Sequence, residues 1–464
     1  MILLLPLLLA FHILILSQIT FTAWPEMLSY PYLLAHGFTL YKDYVMPYPP
    51  GLVWLLSGIF QSFGFNVEIL KYLTWTLILT EDLFLYLISR KLTNENRRVG
   101  FIFLGIFIFL QSFLDGNMLW FDLATSLPLL IAFYFGMKWL ENFNQKNLFL
   151  IGLFLGLAVL IKQTAIIYLL AFGLIYLKYR GIAKIRELAV FVAGVFVLWV
   201  SLYAYLLSAG LLSSFTNWVL IYPLTQWSKF PGYVNFALSK KQLLVLGLIL
   251  LPALGGLLQL KKIKRDKVFL FSGIFTVAAL ISVYPRFSFF HLQPAIPFIT
   301  ILILKTFNGF PKGWQRRYAV LLGVVVISVI VLLGKGNFIN QIRFYATSDQ
   351  NLAREINAST KDNRRVFLLG LNSSEYVFAG KLPPVNWSDN FGWYLEIPEV
   401  QDWVIQGLKI TPPEKVFWRV PNSGNWYDLG TYQPQKIIDF IRQNYILTGK
   451  IEGGVEIWTK RNSK

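Results

Sequence analysis

The sequence predicts a polytopic α-helical membrane protein with about eleven transmembrane helices and a small C-terminal α/β domain. The residues are 56% hydrophobic, and the mean hydropathy of +0.55 is higher than soluble domains show. Apolar runs close to the roughly 20 residues that a helix needs to cross hydrocarbon recur along the chain. After residue 335 the composition changes to a mixed polar and apolar pattern. The bilayer is the solvent that accommodates so much apolar surface.

The predicted crossings are the apolar runs that are long and poor in charge. They lie at 2–23, 67–89, 99–114, 118–137, 148–161, 164–177, 187–208, 241–260, 268–284, 290–307 and 317–334. The first run has neither a basic leading region nor an A-x-A cleavage site, so we expect an anchor and not a signal peptide. The run at 51–64 is short for a crossing, which predicts an interfacial or re-entrant segment.

The orientation follows from Lys and Arg, which are concentrated in alternate short loops. The basic loops contain Arg90, Lys91, Arg97 and Arg98; Lys138 and Lys146; Lys178, Arg180, Lys184 and Arg186; Lys261, Lys262, Lys264, Arg265 and Lys267; Lys305, Lys312, Arg316 and Arg317. The net charge of +18 is therefore topogenic and does not indicate a nucleic-acid partner. With the basic loops inside, we expect a multi-pass cell-membrane protein with a cytoplasmic N-terminus.

The same rule places 24–66, 209–240, 285–289 and everything after 335 on the outer side. We expect two domains: a transmembrane domain at 1–334 and an extracytoplasmic α/β domain at 335–464. In the second, RRVFLLGLN is typical of a buried strand and its turn, PQKIIDFIRQNYIL of a helix, and GGVEIWTK of a final strand.

Composition excludes several kinds of site. The chain has no cysteine, so disulfides, thiolate catalysis and Cys-ligated metals are excluded. Its three histidines, His12, His36 and His291, are far apart in sequence, which argues against a multi-His metal site.

Polar residues that could carry chemistry gather on the predicted outer side. They are Glu26, Asp43, Asp115, Asp122, Lys162, Arg286 and His291. Glu26 follows Pro25 just after the first crossing, where partial desolvation would raise its pKa and suit it to base work. The alternative is an ordinary solvated loop carboxylate.

Asp122 lies in the opening turn of the helix that follows FLDGNMLWF, where its carboxylate could cap the helix, and capping also suits Asp115. Either acid could instead face Glu26, and the pair would bind a divalent cation such as Mg²⁺ or Mn²⁺ through oxygen ligands. Both interpretations stay open.

Three cationic or histidine side chains are candidates for binding a lipid phosphate. Lys162 lies between two short apolar runs, where it either snorkels to water or meets an anion. Arg286 and His291 share an aromatic turn on the same side. The alternative interpretation of this turn is an interfacial aromatic belt with an incidental cation. Together they favour an anionic headgroup.

Glu81 and Asp82 fall midway along the run 67–89, where carboxylates must be paired or protonated. They could be partners of a neighbouring helix, members of a proton relay, or a sign that this helix is placed differently. They are the feature that favours a transporter or flippase of an amphipathic lipid, although the sequence has no evident internal repeat. A structural membrane protein with a binding domain at 335–464 is a third reading.

The order of motifs over roughly residues 1–310 resembles the GT-C membrane glycosyltransferases, in particular the protein mannosyltransferase and aminoarabinose transferase families. The motifs are WPEM after the first crossing, AHGFTLYKDY, MPYPPG before the next helix, WFDLA, KQT and PRFSFFHLQPAIP. These families commonly have Asp-Glu where this chain has Pro25 and Glu26. Asp43 and Asp122 are therefore competing candidates for the base.

The resemblance implies a glycosyltransferase that uses a polyprenyl-phosphate sugar donor, with a glycan, lipid or protein as acceptor. By motif position, Glu26 would be the catalytic carboxylate, with Asp43 and Asp122 as supporting acids. Lys162, Arg286 and His291 would bind the lipid phosphate. The implied reaction is an inverting displacement in which a carboxylate activates the acceptor hydroxyl and cations stabilise the leaving phosphate.

Overall fold

The computed structural model describes residues 4–93, 97–259, 266–360, 364–419 and 433–461. It divides into two compact units. Unit 1 consists of Met1–Phe21, Lys71–Leu202 and Phe236–Gln341, and unit 2 of Thr22–Leu70, Tyr203–Asn235 and Ile342–Lys464. Four basic residues used for the orientation, Lys261, Lys262, Lys264 and Arg265, lie outside the described residues.

Each of the predicted apolar runs contains a helix. They are Leu4–Gln18, Val67–Leu92, Arg97–Gln111, Phe121–Asn142, Gln145–Ile161, Ile166–Arg180, Leu188–Ser208, Lys240–Leu254, Lys267–Ile281, Ile296–Gly309 and Lys312–Asn337. In the described part of the chain, five helical stretches are long and apolar enough to cross a membrane: Arg98–Gly116, Phe121–Asn142, Lys184–Ser208, Phe289–Gly309 and Lys312–Asn337. The total of eleven crossings and their orientation stay predictions.

The interior of unit 1 is filled by aromatic side chains from several helices. The ring of Phe133 stacks on that of Phe271 with centroids 4.5 Å apart, and Phe275 meets Phe271 and Phe298 edge to face. These four rings are fully buried. Offset and edge-to-face pairs of this kind add about 0.5–1.5 kcal/mol each to the burial of their area.

Glycines allow two helices of unit 1 to pack backbone against backbone. Helix Gln145–Ile161 carries Gly152 and Gly156 on one face, and helix Leu188–Ser208 presents Gly194. A Cβ at Gly152 would lie 2.1 Å from the carbonyl oxygen of Phe191, and one at Gly194 would lie 2.2 Å from that of Phe149. Small residues at this spacing are how helices associate closely in a bilayer.

We expect Gly152→Ala to lower the thermal unfolding midpoint of the detergent-purified protein, because the methyl group forces the two helices apart at a cost of about 1–3 kcal/mol. Gly173→Ala in helix Ile166–Arg180 is the matched control, since a Cβ there meets no atom within 4 Å. It should leave the midpoint unchanged or raise it. Equal midpoints for both variants would contradict this packing.

Unit 2 combines short helices with strands. The helices lying wholly in this unit are Glu26–Ala35, Gly51–Phe63, Leu212–Thr216, Tyr222–Thr225, Thr347–Ser359, Ser374–Phe378, Gly392–Leu395, Val400–Ile410 and Gln435–Asn444. The run at 51–64 is thus one helix, which ends where Gly64 adopts φ 95°. Glycine makes that backbone conformation accessible.

A four-stranded sheet lies in the C-terminal part of unit 2. Its strands run in the order Phe367–Leu369, Lys415–Trp418, Val455–Lys460 and Tyr445–Ile451. The first pair is parallel and the other two pairs are antiparallel. The strand expected in RRVFLLGLN, the helix in PQKIIDFIRQNYIL and the final strand in GGVEIWTK are all present.

The loop before helix Gly51–Phe63 is hydrogen-bonded to the C-terminal segment within unit 2. The backbone N–H of Trp387 donates to the carbonyl of Asp43 (2.8 Å), and that of Val45 donates to the carbonyl of Trp387 (3.0 Å). The compact units therefore do not follow a linear boundary, because loop residues 22–70 and the segment after residue 342 belong to one unit. Two domains at 1–334 and 335–464 stay a prediction.

Candidate functional site

Glu26 is a buried carboxyl group in unit 2. It begins helix Glu26–Ala35 directly after Pro25, and the residue is 3% exposed. Its Oε2 atom has no hydrogen-bond partner among the described residues. The alternative of a solvated loop carboxylate is therefore wrong. A buried carboxyl oxygen without a partner is costly, and such groups are characteristic of sites that bind or react.

A second carboxyl group, that of Asp389, acts on Glu26 within unit 2. Ser29, one helical turn after Glu26, donates to Ser373 with 3.0 Å between the hydroxyl oxygens. Ser373 in turn donates to Oδ2 of Asp389 (2.9 Å), and the backbone N–H of Asn390 donates to Oδ1 (2.8 Å). The hydroxyls thus connect the helix of Glu26 to Asp389.

Aromatic side chains keep water away from the two acids. The phenols of Tyr30 and Tyr394 are close enough to both carboxyl groups to interact with them electrostatically. The ring of Tyr394 also packs on that of Trp227, with centroids 5.3 Å apart. Burial raises the pKa of both phenols well above its usual value, so that they remain neutral.

This environment favours the protonated form of each acid. Burial, and then the negative charge of Asp389, raise the pKa of Glu26 to about 8. Burial raises the pKa of Asp389 to about 6, against the effect of its hydrogen bonds from Asn390 and Ser373. At neutral pH the pair therefore holds one proton, which resides mainly on Glu26, and the two groups titrate as a unit.

Asp43 has a local role in the turn that contains it. Its Oδ2 accepts a hydrogen bond of 2.7 Å from the backbone N–H of Thr39, and its charge acts on Arg365. The carboxylate is half-buried. The contacts of Asp43 stabilise the loop, and its assignment as a supporting acid stays a prediction.

In unit 1, Asp122 joins Lys162 and His291. Nζ of Lys162 donates to Oδ1 of Asp122 (2.6 Å), and Nδ1 of His291 lies 2.8 Å from Oδ2. Asp122 is 1% exposed. The helix that begins at Phe121 has Trp120 as its N-cap and no side-chain capping bond, so the prediction that Asp122 caps this helix is wrong.

The local backbone explains why these three side chains converge. Lys162 ends helix Gln145–Ile161 in an extended conformation, and His291 lies in the 3-10 turn Phe289–Ala295. Both positions are breaks between helices, where a side chain can point along the helix axis toward the start of helix Phe121–Asn142. Charge-assisted hydrogen bonds then hold the group together.

Arg286 lies near enough for its charge to act on the imidazole of His291. Asp122, Lys162, His291 and Arg286 thus form a chain of interactions with one carboxylate and two permanent cations, so the group is net positive. Lys162 keeps two further N–H bonds that can be donated to an anion, and Nε2 of His291 can donate to one when the imidazole is protonated. Asp115 lies in a kink of the chain with φ 54°.

Glu81 and Asp82 are buried in unit 1, and Asp82 is paired with His12. Nδ1 of His12 lies 2.7 Å from Oδ2 of Asp82, and Nε2 lies 3.1 Å from both Oε1 of Gln111 and Oγ of Ser112. His12 and Asp82 have no exposed surface. For Asp82, the pairing supports the alternative of a partner on a neighbouring helix, since His12 belongs to helix Leu4–Gln18.

We expect Asp82→Ala to lower the free energy of unfolding by about 1–3 kcal/mol, because it leaves Nδ1 of the buried His12 imidazole without its hydrogen-bond partner. Thermal unfolding of the purified protein measures this loss. Glu141→Gln is the matched control: Glu141 binds Lys91 at 2.8 Å but is 57% exposed, and such pairs contribute roughly 0–1 kcal/mol. A loss no larger than that of the control would contradict a stabilising pair.

The residues do not fit the expected divalent-cation site. Both carboxylate oxygens of Asp122 already face Lys162 and His291. Within the described ranges, no group of three or more His, Asp or Glu side chains is arranged to hold a metal ion. The requirement for Mg²⁺ or Mn²⁺ stays a prediction.

Sequence reasoning did not identify Asp389 or Ser373. The one signal was the run NWSDN at 386–390, in which an acid is flanked by small polar and aromatic residues in the tail. Nothing in that run indicates a partner near residue 26, because the pairing depends on how the chain folds back.

Part of the chain is similar in sequence to a known protein family. Residues 47–206 match the family model described as dolichyl-phosphate-mannose-protein mannosyltransferase. No curated protein matches the chain.

Solved structures match over nearly the whole chain. The crystal structure of ArnT from Cupriavidus metallidurans bound to undecaprenyl phosphate has a TM-score of 0.64 at 14% identity, over 100% of this chain and 98% of that one. The oligosaccharyltransferase of Archaeoglobus fulgidus, tethered with an acceptor peptide, has a TM-score of 0.57 at 10% identity, over 99% and 74%. AglB from the same organism, in complex with an inhibitory peptide and a dolichol-phosphate, has a TM-score of 0.56 at 10% identity, over 98% and 74%.

Proposed function

We propose that this chain, which has the fold of the GT-C membrane glycosyltransferases, moves a sugar from a polyprenyl-phosphate donor to an acceptor hydroxyl at the outer membrane face. The resemblance that the motifs indicate is confirmed at the level of fold. The observation that carries the proposal is Glu26, a buried carboxyl group with an oxygen that no described residue binds. Such a group is suited to accept a proton from a substrate.

In the acceptor half of the reaction, the ionised carboxylate of Glu26 takes the proton of the acceptor hydroxyl. The hydroxyl oxygen forms a bond to the anomeric carbon of the sugar as the bond from that carbon to the phosphate oxygen breaks. The electron pair leaves with the phosphate, and the configuration at the anomeric carbon is inverted. Glu26 later releases its proton to solvent or product.

In the donor half, the departing phosphate gains negative charge. Nearby cations stabilise that charge, so a strong general acid is not required. Lys162, Arg286 and His291 are assigned to this charge. Asp122 orients Lys162 and His291 through its two oxygens. Orientation before the donor binds reduces the reorganisation that the reaction would otherwise require.

We expect Glu26→Gln to reduce sugar transfer by at least about 100-fold, because a positioned base contributes 10²–10⁴-fold. The assay uses purified protein, radiolabelled undecaprenyl-phosphate hexose and pentose donors, and membranes of a strain lacking the gene as the source of acceptors. Asp402→Asn is the control, since Asp402 is an exposed carboxylate that pairs with Lys436 in the same unit. Transfer by Glu26→Gln at the rate of the control would remove Glu26 from the mechanism.

We expect Lys162→Ala to weaken binding of undecaprenyl phosphate about 10- to 100-fold, as the loss of a charge-assisted hydrogen bond predicts. Arg286→Ala should weaken it in the same direction. Binding to the purified protein can be followed by native mass spectrometry or by calorimetry. Lys91→Ala serves as control, because Lys91 is bound to the exposed Glu141. Unchanged affinity in both variants would refute the phosphate-ligand assignment.

A further inference from the structure

We infer that Asp389 is a positioning residue for Glu26, whose negative charge and hydroxyl-mediated link to helix Glu26–Ala35 determine when the Glu26 carboxyl group is ionised. The inference rests on the proposed function, and it deepens it by adding the C-terminal segment to the catalytic machinery. Three observations carry it: the direction of the hydrogen bonds, the unequal numbers of hydrogen bonds that the two acids accept, and the burial of both acids.

The direction of the hydrogen bonds identifies Asp389 as an acceptor. A serine hydroxyl has one proton, so it donates once and accepts elsewhere. Ser29 donates to Ser373, and Ser373 donates to Asp389 over 2.9 Å. A relay of two hydroxyls that ends on a carboxyl oxygen stabilises the ionised form of that carboxyl group.

The carboxyl oxygens of the two acids differ in the hydrogen bonds that they accept. Asp389 accepts one hydrogen bond on each oxygen, from Ser373 and from the backbone N–H of Asn390. Glu26 has an oxygen with no partner among the described residues. When the pair shares one proton, that proton therefore belongs on Glu26, and Asp389 carries the charge.

The surroundings leave the charge of Asp389 unscreened. Both acids are at most 3% exposed, and the titratable groups that act on them, Tyr30, Tyr394 and, on Asp389, Tyr376, are neutral phenols. In a site of low dielectric, one negative charge strongly opposes a second. Asp389 thereby keeps Glu26 protonated at a pH where an isolated glutamate would be ionised.

The charge of Asp389 should make the rate of sugar transfer depend on pH. Glu26 can take a proton from the acceptor once it is ionised, so transfer should be slow at low pH and should rise as the pH passes the raised pKa of Glu26, about 8. Removing the charge of Asp389 lowers the pKa of Glu26. The acid limb of the pH–rate profile then moves to lower pH.

The test is the pH–rate profile of sugar transfer for the wild type, Asp389→Asn, Asp389→Glu and the exposed-site control Asp402→Asn. Loss of a like charge from a buried pair should move the acid limb of Asp389→Asn down by about one pH unit or more. Asp389→Glu keeps the charge and should restore the wild-type limb. A profile of Asp389→Asn that superposes on that of the wild type and the control overturns the inference.

Ser373→Ala is the second variant, because Asp389→Asn removes a buried hydrogen-bonding acid and could fold poorly. It retains Asp389 but deprives it of a donor, so that part of the shared proton moves to Asp389. The acid limb should shift in the same direction by a smaller amount. A shift to higher pH would contradict the direction of the hydroxyl relay.

A measurement without turnover separates this inference from the proposed function. Infrared difference spectroscopy of the purified wild type against Glu26→Gln follows the carboxylic-acid band of Glu26 as the pH is raised. The same subtraction in the Asp389→Asn background should show that band disappearing at lower pH. Suppose that the protein transfers no sugar but the band disappears at a lower pH in the Asp389→Asn background. The proposed function then fails, and the coupling of Asp389 to Glu26 stands. If the protein transfers sugar but the band disappears at the same pH in both backgrounds, the coupling is refuted and the proposed function stands.

Discussion

The carboxylate of Asp122 interacts with two side chains, Lys162 and His291, inside a helical unit that excludes water. Each of these groups would be expensive to bury alone, since an unpaired charge in a medium of low dielectric costs several kcal/mol. Asp122 comes from the first turn of a helix, and Lys162 and His291 come from two breaks between helices, so their convergence constrains the arrangement of those helices. His12 and Asp82 obey the same constraint along a different pair of helices.

Glu26 and Asp389 avoid the cost of a buried unpaired charge in a different way, because both are acids. Two carboxyl groups that share a buried environment avoid the cost of double ionisation by keeping one proton. Hydrogen bonds from Ser373 and Asn390 lower the free-energy cost of ionising Asp389, whereas Oε2 of Glu26 has no such donor among the described residues. The raised pKa of Glu26 gives its carboxylate, once ionised, a higher affinity for the acceptor proton than an ordinary glutamate has. The hydrogen bonds from Ser373 and Asn390 thus both stabilise a buried charge and take part in the proposed chemistry.

Much of the helical architecture and part of the site were predictable. Hydropathy located a helix in each apolar run, because the requirement for about 20 apolar residues depends on the bilayer and not on the fold. Motif order indicated Glu26, Asp122, Lys162 and His291 as candidates. The specific role of Asp122 was not predictable: a carboxylate in a first helical turn is most simply a cap. The structure instead directs it to two basic groups.

By itself the sequence determined where the chain is apolar, where it is basic, and which acids and bases are placed where water is scarce. Those properties are local, since each depends on a window of a few residues. The tertiary structure decided which of these groups meet. Asp122 and His291 are 169 positions apart, and the contact of Ser29 with Ser373 spans 344 positions. Such pairings depend on the packing of the whole chain, and no local pattern encodes them, which is why the acid next to Glu26 emerged from the fold.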